Sequence, residues 1–134
     1  MNQQQIELVQ RTFAKIEPIA QDVGEMFYSR LFEMDPSLQP LFKGDMHQQA
    51  KMMMTAIGMA VKSLNAPDSV IPEIQQIGHR HISYGAMPTD FDKFGAALLW
   101  SLEQTLGSEF NPPVKEAWIE TFQFIVKGMK IATL

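Results

Sequence analysis

The apolar residues of this chain recur at three- and four-residue intervals almost from end to end, and that spacing points to helices. A helix turns through about 100° per residue, so positions three, four and seven apart share one face. Nothing reads as a hairpin or a strand–helix–strand unit, so a sheet is not expected. Ile6, Val9, Phe13 and Ile16 stripe a first helix that should end near Pro18. Val23, Met26, Phe27, Leu31 and Phe32 stripe a second. Asp35-Pro36 closes it, because the residue before proline avoids the helical region. A short apolar turn, Leu38 to Phe42, then reaches Gly44.

Asp45, with Gln48 three residues on, reads as a capping box opening a long helix. Its buried face should be Ala50, Met53, Met54, Ile57, Val61 and Leu64. Residues 65–69 form a loop, and a helix through Ile74, Ile77 and His81 is broken at Tyr84-Gly85 and Pro88. Thr89 is expected to cap the next helix, with Phe94, Leu98, Leu102 and Leu106 inward and Gly107 at its end. Asn111-Pro112 is a strong start signal, a capping side chain followed by proline at the first helical position. The last helix should bury Val114, Trp118, Phe122, Ile125 and Met129. With no internal repeat or low-complexity tract, residues 1–134 are expected to form one all-α domain.

The 134 residues are enough for a single core, and 46% hydrophobic against 19% charged is ordinary for a soluble globular chain. The net charge is −4 and the basic residues are scattered, so no nucleic-acid partner is expected. No apolar run approaches a membrane span and the first residues lack the features of a secretory signal, so a cytoplasmic location is expected. There is no cysteine, which excludes disulfides, thiolate metal sites and cysteine nucleophiles.

Three histidines remain as candidate ligands: His47, His79 and His81. One histidine suffices for iron when a porphyrin supplies the other four nitrogens. Helical phase separates the three. Ile74, Ile77 and His81 share a face, whereas His79 lies roughly 200° away. An imidazole on an apolar stripe needs a partner, because burying an unpaired polar group is costly. His47 lies off the apolar stripe of its helix, either solvated or near a cofactor edge. Tyr28 interrupts an apolar helix. On pattern alone it is either a core tyrosine bonded to a carbonyl or a hydroxyl kept for chemistry. Gln49, taken alone, reads as solvated. Asp90 and Asp92 read as charges at a helix start, and the run Met52-Met53-Met54 reads as adaptable core filling. No serine–histidine–acid grouping or glycine-rich phosphate loop stands out.

These elements in this order resemble the globin family across nearly the whole chain, in particular single-domain bacterial globins of the flavohaemoglobin lineage and neuroglobin. Phe27-Tyr28 through Leu31-Phe32, Asp35-Pro36 and Leu41-Phe42 look like the second helix, the proline that follows it and the phenylalanine that stacks on the haem. Ile77 to His81, followed by Tyr84-Gly85, looks like the segment whose second histidine is the proximal iron ligand. Leu98-Leu99, Leu106-Gly107 and Ala117-Trp118 match the last two helices. The resemblance implies a globin fold, a 3-over-3 helical sandwich with helix D short or absent. It implies haem b (iron protoporphyrin IX) held by His81, with Phe42, Ile77, Phe91 and Phe94 against the porphyrin. It places Tyr28, Gln49 and Met53 on the distal side, facing bound dioxygen, CO or NO.

Tyrosine hydroxyl and glutamine amide are both hydrogen-bond donors. Two such bonds to a partly charged ligand would hold dioxygen tightly and release it slowly. The family's usual distal histidine is replaced by Gln49, so a five-coordinate haem is expected. The tyrosine and late glutamate that polarise the proximal histidine in flavohaemoglobins are replaced by Phe91 and Thr133, so a strong proximal push is not expected. No reductase segment is expected beyond Leu134, so any turnover is expected to need a separate reductase. High-affinity dioxygen binding for transport or storage is the leading expectation. Nitric oxide dioxygenation and haem-based gas sensing are the alternatives.

Overall fold

The structure, a computed structural model, describes residues 1–42, 44–66, 72 and 90–132. Five long helices carry these residues: α1 (Gln3–Ile16), α2 (Ala20–Met34), α3 (Met46–Lys62), α4 (Asp90–Leu106) and α5 (Pro112–Ala132). Short 3-10 turns at Glu17–Ile19, Pro36–Leu41 and Gly107–Glu109 join or extend them. No strand occurs among the described residues. Between Phe42 and Met46 the described backbone forms no further helix, as expected of a chain with little or no helix D. The helix predicted through His81 and the loop after Ala66 fall outside the described residues, as do Ile74, Ile77, His79, Tyr84, Gly85, Thr89 and Thr133.

Local signals set the ends of these helices. Asn2 opens α1 with a full capping box: its side chain accepts from the Gln5 N–H at 2.8 Å, and Gln5 returns a bond to the Asn2 N–H. Asp45 caps α3 as predicted, but its carboxylate accepts from the His47 N–H at 2.9 Å instead of forming a reciprocal box with Gln48. Either of the early orphan N–H groups can be satisfied by a cap, and here the nearer one is. Asn111 accepts from the Val114 N–H at 3.1 Å, with Pro112 at the first helical position of α5. α4 ends where Gly107 turns into the left-handed region at φ +58°, a conformation that costs glycine little.

The core follows the predicted phase closely. Ile6, Val9, Phe13 and Ile16 of α1 are buried, as are Val23, Phe27 and Leu31 of α2. In α3 the face is carried by Ala50, Met54 and Val61, while Met53 and Ile57 are half-buried. Phe94, Leu98 and Leu102 of α4, and Val114 and Trp118 of α5, point inward. Phe122 and Ile125 are half-buried, and Ala117, Thr121 and Val126 complete that face. The main packing pairs are α2 with α4, α2 with α3, and α1 with α5. α2 is therefore the central plank against which α3 and α4 are laid.

Candidate functional site

α2 and α3 cross closely at Gly24 of α2. A Cβ built there would come within 3.0 Å of the Cβ and the carbonyl oxygen of Ala50, and of Cγ of Met54. With no side chain in the way, α2 and α3 meet almost backbone to backbone. Tyr28 lies one turn further along the same face of α2. Gln49 and Met53 flank Ala50 and Met54 on α3 in the sequence, and both are half-buried. The crossing thus brings the three predicted distal residues onto two helices in close contact.

Tyr28 is buried, with 6% of its surface exposed, inside a cluster of aromatic rings. Its ring meets Phe27 edge-on at 4.9 Å between centroids and Phe42 edge-on at 5.2 Å. Phe32 lies 5.9 Å from Tyr28 and 5.7 Å from Phe42. Edge-to-face pairs at such separations are favourable beyond the area they bury. Phe42 reaches this cluster because the 3-10 turn after α2 reverses the chain, with the Phe42 N–H donating to the carbonyl of Gln39 at 3.1 Å. Phe32 was predicted only as a core residue, and its role in fixing both rings was not legible. Its place four residues after Tyr28 was the available signal.

A second aromatic pair stands on α4. Phe91 and Phe94 are buried, their rings nearly perpendicular with centroids 5.7 Å apart. Lys93, between them in sequence, donates to Oδ2 of Asp35, and Oδ1 of the same carboxylate accepts from the N–H and hydroxyl of Ser37. These bonds, that of Lys93 first, hold the Asp35 carboxyl at about 2, below its ordinary 3.8. The ion pair spans 58 positions and no helical phase announces it.

His47 is exposed and its Nδ1 lies 2.8 Å from a carboxylate oxygen of Glu25, which favours the solvated alternative over a cofactor contact. His81 and Ile77 lie outside the described residues. An open groove of about 740 Å³ between the end of α4 and the start of α5, lined by Glu103, Phe110, Lys115 and Glu116 among others, contains none of the predicted residues. Aromatic walls on α2, the Phe42 turn and α4, with one buried phenol among them, suit a flat and largely apolar macrocycle. The residues present therefore fit a haem. No helix among the described residues is long and apolar enough to cross a membrane.

Comparison with known proteins agrees with this architecture. The Globin family model matches residues 25–129, most of the chain. A flavohemoprotein of Bacillus subtilis is 28% identical over 124 residues, which are 90% of this chain and 31% of that protein. A flavohemoprotein of Vibrio cholerae is 25% identical over 131 residues, 95% of this chain and 33% of that protein. A neuroglobin of Chaenocephalus aceratus is 27% identical over 120 residues, 79% of this chain and 76% of that protein. The chain belongs to the globin family. It spans about a third of the length of the flavohemoproteins it matches.

Proposed function

We propose that this globin binds dioxygen, and also CO and NO, with high affinity at a five-coordinate haem b held by His81. The observation that carries the reading is the burial of Tyr28 edge-on against Phe42, which leaves a phenol fixed in an apolar aromatic wall. A haem, when bound, supplies an iron at which small gases are taken up. Everything else falls to the chain's own side chains. His81 contributes an imidazole nitrogen as ligand, a role supported by the phase predicted from sequence, which puts it on one face with Ile77. Phe42, Phe91 and Phe94 supply apolar surface that excludes water from the macrocycle. Tyr28 and Gln49 supply the polar contacts, an O–H and an amide N–H of the donor type that suits a gas drawing electron density. Met53 adds adaptable packing beside them.

An absorption spectrum tests the reading. The protein with added haemin should show an intense Soret band, and that band should collapse in His81→Ala. A spectrum unaffected by the substitution would remove His81 as the ligand. The likeness to flavohemoproteins favours a second reading, nitric oxide dioxygenation in partnership with a separate reductase. In that reaction nitric oxide and dioxygen combine with one electron from the reductase to give nitrate. Repeated nitrate formation in the presence of a reductase would select it. A single stoichiometric oxidation selects binding alone.

A further inference from the structure

The two aromatic walls of the site belong to chain segments far apart in sequence. One is the turn from Asp35 to Phe42, and the other is the first two turns of α4. Asp35 serves both. As the residue that ends α2 it caps the 3-10 turn, through Oδ1 on Ser37, and that turn delivers Phe42 onto Tyr28. Through Oδ2 it takes the ammonium of Lys93, whose neighbours on α4 are Phe91 and Phe94. The carboxylate side chain is only 20% exposed, so solvent competes with this contact less than on an open surface. The two oxygens are thus divided between the two walls.

We propose that Asp35 and Lys93 are a positioning pair that holds the Phe42 turn against the helix carrying Phe91 and Phe94 and thereby governs how long haem is retained. The proposal rests on the reading of these walls as the haem site. Lys93 does not touch the reacting gas; it acts through Asp35 on Phe42.

Two substitutions isolate the pair. Asp35→Asn keeps a side chain able to cap Ser37 while removing the charge, and Lys93→Met keeps the length of the stem while removing the ammonium. Haem transfer to an excess of a haem-scavenging apoprotein should be roughly two- to fivefold faster in each. The double variant should be no faster than the quicker single one, because both remove the same contact. Lys93→Arg, which preserves the contact, should restore the wild-type rate. In parallel, amide exchange at Leu38 and Phe42, both bonded within the turn, should speed up in Lys93→Met while α1 and α5 stay as protected as before. Unchanged haem loss in the single variants, additive effects in the double, or unaltered exchange at Phe42 would each overturn the proposal. If the wild-type chain takes up no haem, the proposed function fails, and the exchange measurement still decides whether the pair positions the turn.

Discussion

The indole N–H of Trp118 donates to the hydroxyl oxygen of Thr12 at 2.9 Å, in the buried seam between α1 and α5 and across 106 positions of sequence. The same hydroxyl donates to the carbonyl of Leu8 at 2.7 Å, so one threonine satisfies itself along its own helix and the tryptophan across to the other. Thr12→Val preserves shape but orphans the indole N–H. It should cost about 1–3 kcal/mol in urea-induced unfolding. Thr12→Ser retains the oxygen and should cost less. Equal stability of the valine variant and wild type would show that the bond adds nothing to the seam.

Gly24 is predicted to tolerate no branched side chain. The carbonyl of Ala50 is backbone held by α3, so a larger residue forces the helices apart. Gly24→Val should destabilise by about 1–3 kcal/mol, the usual range for overpacking. In the haem-loaded protein it should also displace the distal wall, which a changed CO stretching frequency would report. A variant as stable as wild type, with the same frequency, would mean that the crossing has slack.

Removing the phenol at position 28 should loosen ligand binding without unfolding the protein. Tyr28→Phe keeps the ring contacts with Phe27, Phe32 and Phe42. If the hydroxyl donates to bound dioxygen, release should quicken about tenfold or more, since a charge-assisted bond contributes about 1.5–3 kcal/mol. Stopped-flow release rates measure this directly. An unaltered rate would leave Tyr28 as a structural ring alone.

The Asp35 carboxyl makes a prediction in pH. Its folded value of about 2 lies below the ordinary 3.8, chiefly because Lys93 donates to it and next because Ser37 does. A carboxylate held below its unfolded value stabilises the fold fully above about pH 3.8, and that contribution is lost as pH falls through about 2. Over this window the urea midpoint of the wild type should fall more steeply than that of Asp35→Asn, which has nothing to titrate there. Lys93→Met should flatten the curve similarly. Parallel curves for all three proteins would count against the assignment.

The helices were legible from periodicity because burial of one face requires the 3.6-residue phase wherever a helix packs on a core. The ends at Pro18, Asp35-Pro36, Gly107 and Asn111-Pro112 were legible because caps and breakers act on their own few bonds. Buried Thr12, Ser101 and Thr121 were not legible as core. Each hydroxyl donates to the carbonyl one turn back, so a polar residue enters the interior without an unpaired group. The Asp45 cap was read correctly in residue but not in partner, a choice settled by the local path of the chain.

Of the site, the sequence by itself determined which residue types were available and on which helical stretches: Tyr28 within the apolar stretch of α2, and Phe94 inward on α4, with Phe91 entering only through the family resemblance. Their patterns depend on neighbours three or four positions away. Only the tertiary structure decided that Gly24 lets α3 approach, that Phe32 and Phe42 close around Tyr28, and that Lys93 reaches Asp35. Those contacts join separate helices, and their distances follow from how whole faces settle against one another. No periodicity within one segment encodes that.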